Sequence, residues 1–175
     1  MNIFLIGYRG SGKSAVGHKL AKQLGEVFLD TDAMVQERVG HSIRHIFETQ
    51  GEPAFRRYEA RAVQTACMNE NAVISVGGGA VLDPANATLL RDAGRIIWLR
   101  SSPEVLWHRI QDDHNSHEQR PSLTELGGLD EVTSLLARRV PIYESLADHA
   151  IDTDLITPDQ AVENVIHWLS SEAAD

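Results

Sequence analysis

One cysteine, Cys67, stands in a chain of 175 residues. A lone thiol rules out an internal disulfide and a cysteine-built zinc cluster. Positive charge is scarce too: 16 Lys+Arg face 25 Asp+Glu, for a net charge of −9. Broad, sequence-independent nucleic-acid binding needs a cationic footprint, so that class is set aside. A small anionic ligand is not excluded, because a few local arginines suffice to hold one. No apolar run approaches the roughly 20 residues of a membrane span. The opening Asn2-Ile3-Phe4-Leu5-Ile6 is too short for the apolar core of a signal peptide. Cleavage there would also destroy the motif that follows. The sequence contains neither an internal repeat nor a linker. What is present, 42% hydrophobic and 23% charged residues, is ordinary for a soluble domain with one hydrophobic core. The expectation is a single cytoplasmic domain spanning residues 1–175, with no membrane and no nucleic-acid partner.

Five short apolar runs are spaced between helical patterns: Asn2–Ile6, Val27–Asp30, Ala72–Val76, Arg95–Leu99 and Ala150–Asp152. The first, third and fourth are nearly continuous in Val, Ile and Leu, as expected of strands buried on both faces of a parallel sheet. Helices are expected over Lys13–Leu24, Ala33–Val39, Ser42–Thr49, Glu52–Asn69, Pro84–Asp92, Pro103–Gln111, Leu129–Ala147 and Thr157–Leu169. The prolines at 84 and 103 suit a first helical turn, and Thr157 suits a cap before Pro158. Pro141 lies inside the seventh and is expected to kink it. Strands alternating with helices make an α/β fold of right-handed βαβ units around a parallel sheet. Residues 112–128, DDHNSHEQRPSLTELGG, are polar and end in a glycine pair, which suits either a surface lid or an inert loop.

Residues 7–14 read GYRGSGKS and match G-x-x-x-x-G-K-[ST] with Gly7, Gly12, Lys13 and Ser14 in the fixed places. A chance match somewhere in the chain is about a one-in-a-hundred event at average glycine usage. Glycines let such a loop wrap until backbone N–H groups converge on phosphate oxygens. The next helix points its positive end at the same place. Gly10, Ser11, Gly12, Lys13, Ser14 and Ala15 are therefore the expected nucleotide contacts. Lys13 would reach the β- and γ-phosphates, and the Ser14 hydroxyl would ligate Mg²⁺. The only lysines are Lys13, Lys19 and Lys22, so the [NT]-K-x-D base-reading motif of Ras-type GTPases is absent. A small chain with one phosphate loop suggests a small-molecule kinase.

Asp30-Thr31-Asp32 closes the second strand, at the sheet edge where open α/β folds bind ligands. One carboxylate would hold the water shell of Mg²⁺ and the other a substrate hydroxyl; a plain helix N-cap is the competing use. Phe55-Arg56-Arg57 with Glu59 falls in a helix, where Glu52 and Arg56 are also spaced to pair on a solvated face. Arg138-Arg139 is a second doublet. In an acidic protein, paired arginines suit a carboxylate, which a planar guanidinium grips bidentately. Gly77-Gly78-Gly79 permits close approach of backbone to a ligand, or is a simple turn. Arg120-Pro121 lies in the expected lid, where an arginine would reach the transferring phosphoryl group on closure.

In order, GYRGSGKS, DTD, FRR-x-E, GGG, RP and RR-x-x-x-Y resemble shikimate kinase, over a stretch from Gly7 to the region of Pro158. The resemblance implies a three-layer α/β/α P-loop kinase fold with a five-stranded parallel sheet and a mobile lid near residues 112–128. It implies transfer of the ATP γ-phosphoryl group to the 3-hydroxyl of shikimate, a step toward chorismate and the aromatic amino acids. By position, Asp32 would orient or deprotonate the attacking hydroxyl, and Arg56 and Arg139 would grip the carboxylate. Gly78 and Gly79 would touch the substrate through backbone. Ser14 and Asp30 would serve Mg²⁺, and Glu59 would support either Arg56 or the substrate region from behind. Lys13 and Arg120 would attend the transferring phosphoryl group, and Arg109 and Pro158 would pack on adenine. The lid departs from the family's usual R-P-L-L, reading Arg120-Pro121-Ser122-Leu123, and carries His114 and His117. The expected protein is a monomer that takes Mg²⁺, ATP and shikimate. A related kinase for another hydroxy acid such as gluconate, and a nucleotide-gated module without chemistry, are the alternatives. A nucleoside monophosphate kinase fits less well, since no D-G-[FY]-P-R segment is present.

Overall fold

The computed structural model describes residues 1–113 and 127–172. Five strands, β1 (Asn2–Ile6), β2 (Val27–Asp30), β3 (Ala72–Ser75), β4 (Gly94–Arg100) and β5 (His149–Asp152), form one sheet in the order β2-β3-β1-β4-β5. Every neighbouring pair is parallel. Around it lie α1 (Lys13–Leu24), α2 (Thr31–Val39), α3 (Ile43–Gln50), α4 (Glu52–Cys67), α5 (Pro84–Ala93), α6 (Pro103–Asp112), α7 (Gly128–Leu146) and α8 (Pro158–Glu172). A short 3₁₀ turn covers Ala80–Leu82. The α/β architecture expected from the alternating pattern is the one found.

At the starts of α2 and α8 and the end of β3, hydrogen bonds account for the departure from the expected boundary. Helix α2 starts at Thr31, two residues before the expected Ala33, because Asp30 Oδ1 accepts from the N–H groups of Asp32 (2.9 Å) and Ala33 (3.3 Å). Before α8, Thr157 and Gln160 form a reciprocal capping box: Gln160 N–H donates to Thr157 Oγ1 at 3.3 Å and Thr157 N–H to Gln160 Oε1 at 2.9 Å. Strand β3 ends at Ser75, but the ladder runs one residue further through Val76 N–H to Leu5 O at 3.0 Å. Helix α7 continues through Pro141. The expected lid lies outside the described residues except at its ends, where Asp112 closes α6 and Gly127 and Gly128 lead into α7 with φ of 64° and 60°.

The strands bury both faces, as their continuous apolar sequences require. On one face Phe4, Ile6, Ile74, Ile96 and Trp98 pack with Val63 of α4, Leu90 of α5, Leu106 of α6 and Leu136 and Tyr143 of α7. On the other, Ile3, Leu5, Val73, Ile97 and Leu99 meet Val16 and Leu20 of α1 and Val162 and Val165 of α8. Alternation along β1 feeds Ile3 and Leu5 to one layer and Phe4 and Ile6 to the other, which makes three layers. A satellite core of Val35, Ile43, Ile46 and Phe55 seats α2 and α3 against α4. Cys67, at the end of α4, is half-buried, and burial pushes its thiol up to about 11. It is therefore an inert thiol at neutral pH. Among the described residues no helix is long and apolar enough to cross a membrane.

At the edge of the sheet opposite the loops considered below, Gly94 opens β4 against the first residue of β1. A β-carbon on Gly94 would overlap the Asn2 carbonyl oxygen and lie 2.8 Å from its carbon. Asn2 has little room to yield, because its side chain bridges Asn69 O at 2.6 Å and Ala72 N–H at 3.1 Å. Gly94→Ala is expected to cost about 2 kcal/mol of stability through overpacking, measured by urea unfolding. An unchanged midpoint would mean that β1 and β4 do not approach this closely.

Candidate active site

Because all five strands are parallel, their carboxyl ends open on one edge, and the loops after β1, β2 and β3 meet there. The loop after β1 turns through Gly7, Gly10 and Gly12 at φ of 145°, 83° and 95°, conformations that suit glycine. It closes on itself through Ser11 N–H to Tyr8 O at 3.1 Å. Lys13 Nζ donates to Gly7 O at 2.8 Å and Tyr8 O at 3.0 Å, so its ammonium lies over the loop. Helix α1 begins at Lys13, with no side chain capping its first turn. Its N-terminal N–H groups are left to face the cavity, an arrangement made for an anion.

Strand β2 delivers two carboxylates to the same place. Asp30 serves two partners at once. Its Oδ1 caps α2, while its Oδ2 accepts from the Ser14 hydroxyl at 3.1 Å. The N-cap use and the site use weighed from sequence are thus compatible in one side chain. Ser14 and Asp30 offer hard oxygens to a small divalent cation. Among the described residues no group of three or more His, Cys, Asp or Glu could hold a metal ion. That donor set fits Mg²⁺, which binds through one or two protein oxygens plus phosphate and water.

Asp32 and Glu59 approach the glycine loop after β3. A β-carbon at Gly77 would stand 2.9 Å from both Asp32 Oδ1 and Glu59 Oε1, so only glycine leaves room for these carboxylates. At Gly79 it would stand 2.6 Å from Arg56 Nη1, and at Gly78 it would stand 3.0 Å from Gly7 O and 3.5 Å from Arg139 Nη1. Three successive glycines therefore touch the acid, both arginines and the phosphate loop.

Helix geometry separates the members of each arginine doublet, since neighbours point about 100° apart. Arg57 and Arg138 are exposed, whereas Arg139 is buried and Arg56 half-buried. Arg56 donates through Nη1 to Glu59 Oε2 at 2.8 Å and through Nη2 to Glu52 Oε1 at 2.9 Å. Burial pulls its pKa down, but the charges and hydrogen bonds of Glu59 and Glu52 outweigh this and leave it raised. The guanidinium stays charged at any working pH. Glu59, only 2% exposed, is the support expected for Arg56. Arg139 lies over the Tyr8 ring at 5.1 Å, a cation–π contact that ties α7 to the phosphate loop.

The main cavity measures about 790 Å³. Of the expected residues, Gly10, Gly12, Lys13, Ser14, Ala15, Asp30, Asp32, Gly78 and Arg109 line it. Ser11 and Pro158 line instead an adjoining, mainly apolar pocket of about 250 Å³, walled by Val16, Ile156 and Ala161 and shared with Arg109. Arg109 is fixed between the two, donating to Gly10 O at 3.4 Å, Ser101 Oγ at 3.2 Å and Thr153 Oγ1 at 3.1 Å. Arg56, Gly79 and Arg139 are not among the residues that line the main cavity; they gather beside it at the glycine loop, Arg56 against Gly79 and Arg139 against Gly78. Arg120 lies outside the described residues. Sequence reasoning missed Thr153, Phe28, Gln36 and Ser75, which hold Arg109 or line the cavity. None carries a motif signal; Thr153 could have been suspected only as a polar residue just past an apolar strand.

Comparisons with known proteins place the chain and its fold among relatives. A family model described as shikimate kinase matches residues 9–170. The chain is 42% identical to the shikimate kinase of Pelotomaculum thermopropionicum, over 96% of this chain and 95% of that one. It is 39% identical to the shikimate kinase of Syntrophus aciditrophicus, over 98% and 92%. Among solved structures it resembles shikimate kinase from Acinetobacter baumannii in complex with shikimate, with a TM-score of 0.91 at 30% identity, covering 98% and 93% of the two chains. The Aquifex aeolicus shikimate kinase gives a TM-score of 0.84 at 34% identity, covering 99% and 98%.

The two tasks of Asp30 can be separated by substitution. Asp30→Ala removes the α2 cap and is expected to cost about 1 kcal/mol. Asp30→Asn keeps an accepting oxygen and should cost only a few tenths. Chemical denaturation of both variants checks this; equal losses would deny Oδ1 its capping role.

Proposed function

The chain belongs to the shikimate kinase family, and on that footing we propose how its own residues transfer the γ-phosphoryl group of ATP to the 3-hydroxyl of shikimate. One observation carries the assignment of roles. Asp32, Arg56 and Arg139 all close on Gly77–Gly79, and Gly78 is also in contact range of Gly7 of the phosphate loop. Acceptor groups and phosphate groups therefore face each other across one short stretch of backbone.

Lys13 and the N-terminus of α1 hold the nucleotide phosphates, with Gly10, Gly12, Ser14 and Ala15 lining the path. The apolar pocket beside Arg109, with Ser11 and Pro158 in its wall, takes the adenine. Ser14 and Asp30 would hold Mg²⁺, which would supply positive charge to the phosphate oxygens. The guanidinium groups of Arg56 and Arg139 grip the shikimate carboxylate, whose planar oxygens match their planar N–H groups. Gly78 and Gly79 admit the ring close to backbone. With the carboxylate anchored, the hydroxyl meets the Asp32 carboxylate, which aligns it and accepts its proton. Phosphoryl transfer through a loose transition state depends mostly on such placement. Arg120 is assigned the lid role by resemblance. We read residues 1–175 as one kinase domain acting as a cytoplasmic monomer.

ADP release from Mg²⁺–ATP is expected to depend on shikimate and not on gluconate or a nucleoside monophosphate. Asp32→Asn should lower turnover at least about 100-fold, the scale of a lost proton acceptor, while ATP binding by calorimetry persists. Near-normal turnover would remove Asp32 from the chemistry.

Arg139→Ala should weaken shikimate binding by about 2–3 kcal/mol, the scale of a lost charged hydrogen bond. ATP affinity should stay put. A change confined to ATP would move Arg139 to the nucleotide side.

A further inference from the structure

Tyr143 stands first among the largest fully buried side chains, its ring beside Trp98 at 5.7 Å between centroids. A phenylalanine would fill that space without bringing a hydroxyl into the core, where a polar group is costly unless bonded. The hydroxyl donates to Gly78 O at 2.7 Å, in a buried hydrogen bond. One residue earlier in the same loop, Gly77 N–H donates to Thr31 Oγ1 at 2.9 Å, also buried. The Gly77–Gly78 stretch is thus held from both sides by hydroxyls, and its glycines supply no side-chain stiffness of their own.

The two anchors are placed with purpose. Thr31 immediately precedes Asp32 on α2, and Tyr143 lies one helical turn beyond Arg139 on α7. A β-carbon at Gly78 would stand 3.5 Å from Arg139 Nη1 and 3.6 Å from the Tyr143 hydroxyl, so guanidinium and hydroxyl flank the same face of the loop. We propose that Thr31 and Tyr143 are positioning residues: their hydroxyls clamp the glycine loop as a spacer that sets the separation between the Asp32 carboxylate and the Arg139 guanidinium. This rests on the kinase reading above. The clamp acts on acceptor binding at the Tyr143 end and on hydroxyl alignment at the Thr31 end, and leaves the nucleotide alone.

Steady-state kinetics of Tyr143→Phe, Thr31→Val and Thr31→Ser test it. Tyr143→Phe should raise the shikimate KM about tenfold, with the ATP KM and kcat within about twofold. Thr31→Val should lower kcat about tenfold with the ATP KM unchanged, and Thr31→Ser, which keeps the acceptor oxygen, should restore it to within about twofold. A merely structural role would reduce the active fraction, and hence kcat, without separating the two KM values. Tyr143→Phe with both KM values unchanged, or with both raised together, overturns the clamp. So does a Thr31→Ser variant as slow as Thr31→Val. If the unaltered protein releases no ADP in response to shikimate, the kinase reading fails instead, which keeps the two failures distinct.

Discussion

The site depends first on how closely the chain turns at Gly7. A β-carbon there would stand 2.5 Å from Leu99 O of the neighbouring strand and 2.7 Å from Ser11 Oγ. Its φ of 145° also belongs to glycine. With that room the chain leaves β1 and folds back on itself within a few residues. The fold-back aims the N-terminus of α1 along the sheet edge and lays Lys13 over the carbonyls of Gly7 and Tyr8. It also brings Ser14 to the carboxylate of Asp30. A bulkier residue would push the loop off β4 and carry all three groups with it.

An acidic protein builds a site for anions by spending its few cations locally. Arg56 is retained half-buried because Glu59 and Glu52 hold its N–H groups, and the pairs aim it as much as they neutralise it. Such pairs contribute more to orientation than to net stability once desolvation is counted. Arg139 is kept by a different contact, the face of the Tyr8 ring. That ring belongs to the phosphate loop, so α7 and the loop meet through one side-chain contact. Arg109 likewise joins the loop to the end of β5 through Gly10 O and Thr153. Two arginines from two helices, Arg139 and Arg109, thus tie the phosphate loop to the rest of the site.

Much of this was legible in the residues. The strand runs, read as buried on both faces, lie in a sheet buried on both faces, because Val, Ile and Leu without alternation fit no half-exposed strand. The phosphate loop declared itself through glycines at fixed spacing, since few residues besides glycine adopt its backbone. Asp30 was readable as a cap or as a site residue, and it is a cap that also meets Ser14. Other features were silent. Nothing in either arginine doublet taken alone says which member turns inward; the family resemblance points to Arg56 and Arg139, and helix phase against the core is the physical reason. Thr153 and Phe28 carry no pattern, since a single threonine or phenylalanine is common anywhere. Tyr143 was visible as the last letter of a motif, but its bond to Gly78 joins residues far apart in the chain.

The sequence by itself determined the local geometry and the chemical inventory: parallel strands, a phosphate-wrapping loop, two carboxylates after β2 and arginines suited to a carboxylate. These follow from backbone preference and side-chain chemistry, which act over a few residues. Only the tertiary structure decided which of those groups meet. Strand order brought the loops after β1, β2 and β3 to one edge, and the packing of α4 and α7 turned Arg56 and Arg139 inward. Two buried hydroxyls then tied the glycine loop between them. Those choices depend on close packing across the whole sheet, where a neighbour in space is seldom a neighbour in sequence, so no local reading of the chain contains them.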